Sequence, residues 1–120
     1  MKSKQKKTKV FSKEVAYVLK ELLKQPVEGS SGTAKLCKID GMDVSAKTGT
    51  TNDNYDKWLC GFTTYYTAVT WYGYDQNETV SYKGKSPAVQ LWSAVMKSVH
   101  SNLSKTTFIY IYIFYKYMVF

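Results

Sequence analysis

Apolar residues recur at helical spacing near both ends of the chain. The first such segment follows Ser12, a residue type that caps helix N-termini, and extends to Pro26. Its apolar positions are Val15, Val18, Leu19, Leu22 and Leu23. The second begins at Ser86 and Pro87, and its apolar positions are Ala88, Leu91, Trp92, Val95 and Val99. The pattern predicts two amphipathic helices, and we expect the apolar face of the second to pack on a sheet.

Between the helices, three segments have strand-like composition and are separated by short polar turns. They cover about 42–51, 57–63 and 66–74, and such short connections predict an antiparallel meander. The third segment has bulk on both faces and is predicted to be the central strand. The first contains Gly49 and small neighbours, which favour an edge. The predicted fold class is α+β, a three-stranded antiparallel meander flanked by an N-terminal and a C-terminal helix.

The composition is that of a folded domain with a basic N-terminus. The 120 residues, 44% hydrophobic and 16% aromatic, suit one small domain or part of one. The net charge is +8, and five lysines precede residue 10. We expect residues 1–10 to be a basic disordered tail, with attraction to anionic polymers or lipid headgroups as the alternative. Every basic residue is lysine, so the bidentate contacts that arginine makes with guanine or phosphate are absent, and nucleic acid is not the expected partner.

Cysteine and histidine are too sparse to predict a metal site. Cys37 and Cys60 form no C-x-x-C pair and lie near no histidine cluster. The two cysteines could form one disulfide if the domain is exported, or they could be two packed free thiols, and the sequence leaves both alternatives open. His100 is the single histidine and is predicted to be a surface residue rather than a catalyst. All three tryptophans are predicted to be core residues: Trp58, Trp71 and Trp92.

Neither end of the chain predicts a membrane span. Residues 1–9 have no apolar stretch of the kind that a signal peptide needs, so export is not expected from this sequence. The aromatic and β-branched run over 106–120 is shorter than the roughly 20 residues of a spanning helix. It fits a strand-like or interfacial segment, or a terminus foreign to the domain, better than a membrane anchor.

The motif with the clearest chemistry is Lys47-Thr48-Gly49-Thr50-Thr51. On an edge strand, a lysine, hydroxyls and a glycine can recognise a carboxylate, support proton transfer and let a substrate lie against the backbone. The alternative is an ordinary edge strand, in which Lys47 is a solvated guard against aggregation and the threonines are good strand formers.

K-T-G alone is a weak signal, whereas the order of several stretches at short spacing is specific. The stretches are AYVLKELL, SSGTA, AKTGTTNDNYDKWLCGFT, AVTWYGYD and SPAVQLWSAVM. On these stretches the chain, from Phe11 to Asn102, resembles the C-terminal part of the transpeptidase domain of class A, bifunctional penicillin-binding proteins of Gram-positive bacteria. The expected organisation is a basic tail over 1–10, the transpeptidase portion over 11–102 and a hydrophobic tail without family resemblance over 103–120.

The resemblance implies acyl transfer on peptidoglycan stem peptides and binding of β-lactams, with no cofactor. Lys47 would assist proton transfer at a serine, and the backbone N–H of Thr50 would donate to the oxyanion. Substrate binding would fall to Thr48, Gly49, Thr50 and Thr51. The parent protein would lie at the outer face of the cytoplasmic membrane, and the location of this chain stays open.

Two motifs of the resembled family are missing or misplaced. The serine motif S-x-x-K matches only Ser3-Lys4-Gln5-Lys6, inside the basic tail, and S-x-N has no match. We therefore expect a truncated portion of the enzyme that is inactive alone. The alternatives are a small basic module that binds nucleic acid or an anionic membrane surface, and a non-catalytic interaction protein.

Overall fold

Two helices pack against a three-stranded antiparallel sheet in the computed structural model, which describes residues 8–108. The elements in chain order are α1 (Lys13–Glu28), β1 (Ser45–Thr50), β2 (Asp56–Phe62), β3 (Thr67–Gly73) and α2 (Pro87–His100). The predicted α+β class and the antiparallel meander are confirmed. Most of the predicted N-terminal tail and residues 109–120 lie outside the described residues. Within 8–108, no helix is long and apolar enough to cross a membrane.

The strand order in the sheet is β1-β2-β3. The prediction that β1 is an edge strand is confirmed, whereas the prediction that the third strand is central is wrong, because β2 pairs with both neighbours. On β3, Val69 and Trp71 are 55% and 39% exposed, so this strand is not covered on both faces. Large side chains indicate that a strand can pack against other elements, but the position of the strand in the sheet depends on which strands its backbone pairs with.

α1 begins as predicted, because the Ser12 hydroxyl accepts a hydrogen bond from the Val15 amide at 3.3 Å. It runs past the predicted end, since Pro26 lies within its last turn and removes one amide donor without stopping the helix. The helix buries Tyr17 and Val27. Four of the five predicted apolar positions are instead exposed: Val15, Val18, Leu19 and Leu22.

α2 packs on the sheet through a face that was only partly predicted. Ala88 and Trp92 are fully buried, as expected, and the Trp92 indole donates to the carbonyl of Ala68 at 3.0 Å. The predicted apolar positions Leu91, Val95 and Val99 are about half exposed. The helix has two neighbouring apolar stripes. The one that packs on the sheet contains Trp92 and Met96, each one position after a predicted residue. The buried residues of α2 are Ala88, Val89, Trp92, Ser93, Met96 and His100.

The core lies between α2, the sheet and the segment that precedes β1. Its buried members are Val27, Ala34, Cys37, Val44, Ala46, Leu59, Ala88, Val89, Trp92 and Met96. Trp58 and Trp71 contradict their core prediction: they lie on the opposite face of the sheet, with ring centroids 6.2 Å apart and 43% and 39% of their surfaces exposed. A strand alternates its side chains between faces, and only one face of β2 and β3 meets α2.

His100 is buried, so its predicted surface position is wrong. Its Nδ1 lies 2.6 Å from the carbonyl oxygen of Met96, which can only accept, so Nδ1 carries the proton. Nε2 then accepts from the hydroxyl of Thr63 at 2.8 Å. That hydroxyl oxygen also accepts from the amides of Tyr65 and Tyr66. The histidine therefore links the end of α2 to the turn between β2 and β3.

The segment after α2 returns to the start of β1. The amide of Phe108 donates to Asp43 Oδ2 at 2.8 Å, and the amide of Asp43 donates to the carbonyl of Thr106 at 3.4 Å. Asp43 Oδ1 also lies 3.4 Å from Lys24 Nζ on α1. The buried ring of Phe108 packs against Phe62, with centroids 5.7 Å apart. Asp43 therefore connects three parts of the chain at one corner of the sheet.

Candidate active site

The outer edge of β1 presents backbone groups that β2 does not use. The amide of Thr51 donates to the carbonyl of Asp56 at 3.3 Å, which fixes the phase of the β1–β2 ladder. In an antiparallel pair, hydrogen-bonded and non-hydrogen-bonded positions alternate, so Gly49 bonds to β2 whereas Thr48 and Thr50 do not. The amides and carbonyls of Thr48 and Thr50 therefore point away from the sheet.

The motif lysine lies at this edge. Lys47 Nζ donates to the outward carbonyl of Thr48 at 2.8 Å, which holds the ammonium beside the unpaired backbone. The Thr48 hydroxyl lies 3.1 Å from the hydroxyl of Thr33. The edge thus combines a positive charge, hydroxyls and outward N–H donors, which together suit an anionic ligand with a carbonyl group.

A groove of about 430 Å³ lies between Lys47 and the loop over residues 29–33. The loop is fixed at both ends, since the Gly32 amide donates to Gly29 and the Ala34 amide donates to Pro26. A Cβ on Gly32 would lie 2.4 Å from the Pro26 carbonyl oxygen, so only glycine allows this close approach. A second groove of the same volume, lined by Lys38, Lys97 and Lys105 among others, contains no motif residue.

Thr51 closes the turn that follows β1. Its hydroxyl donates to Asp56 Oδ2 at 3.0 Å and accepts from the Asp56 amide at 2.9 Å. The other carboxylate oxygen of Asp56 accepts from the Trp71 indole at 2.7 Å, which ties the turn to β3. The hydroxyl of Thr51 is thus engaged within the turn, and its predicted part in substrate binding stays a prediction.

Neither cysteine is part of a disulfide. Cys37 is buried, and burial raises the pKa of its thiol from the ordinary 9.0 to about 12. Cys60 lies on β2, on the exposed face of the sheet. Among residues 8–108, no group of three or more histidine, cysteine or acidic side chains is placed to hold a metal ion.

Two contributors to this edge were not singled out from the sequence. Thr33 belongs to the SSGTA stretch that carries part of the family resemblance, but no spacing rule relates position 33 to position 48. Asp56 follows a polar turn in which Asp53 and Asn54 adopt positive φ, which is typical of Asp and Asn. The turn was predicted, whereas its closure by the Asp56 carboxylate depends on the observed contacts.

A lysine and hydroxyls beside outward amides on an edge strand are features of the K-T-G motif of one class of serine enzymes. The model of the family described as penicillin binding protein transpeptidase domain matches residues 1–97. The chain belongs to the penicillin-binding protein transpeptidase family.

Relatives with this domain are similar to most of the chain. Penicillin-binding protein 1A of Clostridium botulinum is 41% identical over 95 residues, which cover 79% of this chain and 11% of that protein. Penicillin-binding protein 1A of Clostridium acetobutylicum is 38% identical over 80% of this chain and 12% of its own length. Penicillin-binding protein 4 of Bacillus subtilis is 33% identical over 79% of this chain and 15% of its own length. The chain thus spans well under a fifth of the length of these relatives.

Proposed function

We propose that this chain is the C-terminal part of a class A transpeptidase domain and forms the K-T-G wall of a peptidoglycan D,D-transpeptidase active site. The observation that carries the proposal is the open edge of β1, where Lys47 lies beside the outward backbone of Thr48 and Thr50. An extended stem peptide or a β-lactam would add to this edge as a further strand. The parent enzyme would work at the outer face of the cytoplasmic membrane.

Each motif residue has a distinct part in this proposal. The hydroxyls of Thr48 and Thr50 bind the terminal carboxylate of the acyl donor, and Thr51 supports them from the turn. Gly49 lacks a side chain and lets the donor lie against the strand. The Thr50 amide donates to the oxyanion, a contribution of about 3 kcal/mol in such sites. Lys47 supplies positive charge and assists the proton relay of the attacking serine.

The nucleophilic serine comes from a different segment in this proposal. The S-x-x-K match at Ser3 to Lys6 lies outside the described residues and within a lysine-rich stretch. Apolar side chains on α1, β3 and α2 are exposed in a way that suits contact with further parts of a larger domain. Those most relevant are Val15, Leu22, Val69, Leu91 and Val95. Alone, the chain is expected not to form an acyl-enzyme.

A chimera with a relative tests the proposal. Residues 11–102 replace the matching segment of the Clostridium botulinum penicillin-binding protein 1A, and the rest of that protein is expected to supply the serine and S-x-N motifs. We expect a fluorescent penicillin to label the chimera but not the 120-residue chain. Lys47→Ala should reduce labelling at least 100-fold by the usual magnitude for proton-transfer groups, on the order of 10²–10⁴. The exposed Lys38, changed to alanine, is the matched control and should leave labelling unchanged.

Two outcomes would contradict the proposal: labelling of a serine in the 120-residue chain, or a folded chimera that is not labelled. The alternative of a basic binding module is not favoured, because the family match extends over residues 1–97 and so includes the lysine-rich start of the chain.

A further inference from the structure

We propose that Thr33 is a positioning residue that turns the hydroxyl of Thr48 into a hydrogen-bond donor toward the carboxylate of the acyl donor. This inference rests on the proposed function, and it adds to the site a residue from the loop over 29–33. The observation behind it is the 3.1 Å distance between the two hydroxyl oxygens.

The direction of this hydrogen bond is set by the ligand. A hydroxyl has one proton to donate, and a carboxylate can only accept. When Thr48 donates to a carboxylate, its oxygen can therefore only accept from Thr33. The resulting order runs from the Thr33 hydroxyl to the Thr48 hydroxyl to the carboxylate, and consecutive hydrogen bonds of one direction strengthen one another.

Thr33 reaches this position because its neighbours are fixed. Ala34 is fully buried in the core, and its amide donates to the Pro26 carbonyl at 2.8 Å. On the other side, Gly32 lies too close to Pro26 for any side chain. The backbone of the loop therefore helps to hold the Thr33 side chain against β1, where its hydroxyl meets Thr48.

Thr48 is engaged from two sides in this arrangement. Its carbonyl accepts from Lys47 Nζ at 2.8 Å, and its hydroxyl meets Thr33. The ammonium of Lys47 bonds to the carbonyl rather than to the hydroxyl, and the hydroxyl pairs with Thr33 among the described residues. An anion at the edge would then meet a donor that is already oriented, so less ordering is required on binding.

Substitutions in the same chimera test the inference. Thr33→Val keeps the shape of the side chain but removes the hydroxyl, and Thr33→Ser restores the hydroxyl. We expect Thr33→Val to raise the penicillin concentration for half-maximal acylation rate about three- to tenfold, the equivalent of one hydrogen bond. The maximal acylation rate should change less than about twofold, because the bond is made before and during acylation alike. Thr33→Ser and the control Thr64→Val, at an exposed threonine in the turn between β2 and β3, should match the parent chimera.

A double substitution separates positioning from a structural role. In a Thr48→Val background, Thr33→Val should have no further effect on the half-maximal concentration, because Thr33 acts only through Thr48. Equal values for Thr33→Val and the parent, or an additive effect in the double variant, would overturn the inference and leave the proposed function standing. So would a fall in melting temperature with a matching loss of maximal rate. A folded chimera that takes no label would overturn both proposals.

Discussion

Single polar residues with several partners hold the ends of the strands. Asp56 is the clearest case, because its carboxylate binds the Thr51 hydroxyl and the Trp71 indole at once. Thr63 has the same role at the opposite end of β2, where its hydroxyl meets His100 and two amides. The geometry of the β1 edge thus depends on residues that lie outside the motif.

Asp56→Ala should destabilise the chimera by about 1–3 kcal/mol, because it removes two hydrogen bonds to a carboxylate. It should also weaken penicillin labelling, since the end of β1 loses its tie to β3. Chemical denaturation measures the first effect. The exposed Asp75, changed to alanine, is the control, and equal stability of the two variants would contradict the prediction.

The two thiols should differ in reactivity. At pH 8, a thiol with a pKa of about 12 is ionised in about one molecule in ten thousand, and Cys37 is also buried. A disulfide reagent should therefore modify one thiol per folded chain, at Cys60, and both thiols after unfolding. Cys60→Ser should abolish the fast reaction, and two fast thiols in the folded chain would contradict the assignment.

The same burial predicts a loss of stability in alkali. The folded pKa of Cys37 lies above its unfolded value of 9.0, so its contribution is complete below pH 9 and is lost as pH rises toward 12. Cys37→Ala should flatten this part of the stability curve relative to the parent. An unchanged curve, measured by denaturation at pH 8 to 11, would exclude the effect.

At the scale of elements, hydrophobic periodicity and turn residues predicted the two α-helices and three strands of residues 8–108, with boundaries within three residues. Turns this short can join neighbouring strands only in antiparallel order, so the meander could be predicted from them. The buried face of α2 could not be predicted, because Leu91 and Val95 are as apolar as the residues that the sheet covers. The stripe that does pack meets Gly61, whose missing side chain leaves space for the Trp92 ring.

Gly61→Ala should destabilise the chimera by about 1–3 kcal/mol, because its Cβ would lie 2.9 Å from Trp92 Cζ2 in a filled core. Trp92→Phe shortens the ring system and should offset part of this cost in the double variant. A double-mutant cycle of unfolding free energies measures the coupling. Strictly additive effects would show that the two side chains do not compete for the same space.

At the scale of the whole molecule, only part of the candidate site could be predicted from the sequence. Lys47, Thr48 and Thr50 follow from a motif that is local in sequence. The partnership of Thr33 with Thr48 joins residues from separate elements, and no local pattern encodes such a contact. The exposure of apolar side chains on α1 and β3 could not be predicted either, because it depends on which faces the other elements of residues 8–108 cover.

The exposed stripe of α2 gives a test at this scale. The double substitution Leu91→Lys and Val95→Lys should increase the yield of soluble monomer from the 120-residue chain, because it interrupts an exposed apolar patch. In the chimera the same change should lower the yield of labelled enzyme, since there the stripe is expected to be covered. Ser98→Lys, on an exposed position of the same helix, is the control for added charge. Size-exclusion chromatography and penicillin labelling are the measurements.

The corner built by Asp43 bears on where this domain is cut for expression. The Phe108 amide that binds Asp43 lies beyond residue 97, where the family match stops. A gene that ends at residue 97 would remove Phe108. Phe62 would then lose its ring contact, and the Asp43 carboxylate would lose the Phe108 amide as a hydrogen-bond donor. A gene designed to give soluble protein should therefore end after Phe108. Limited proteolysis should leave the peptide bonds between residues 103 and 108 intact.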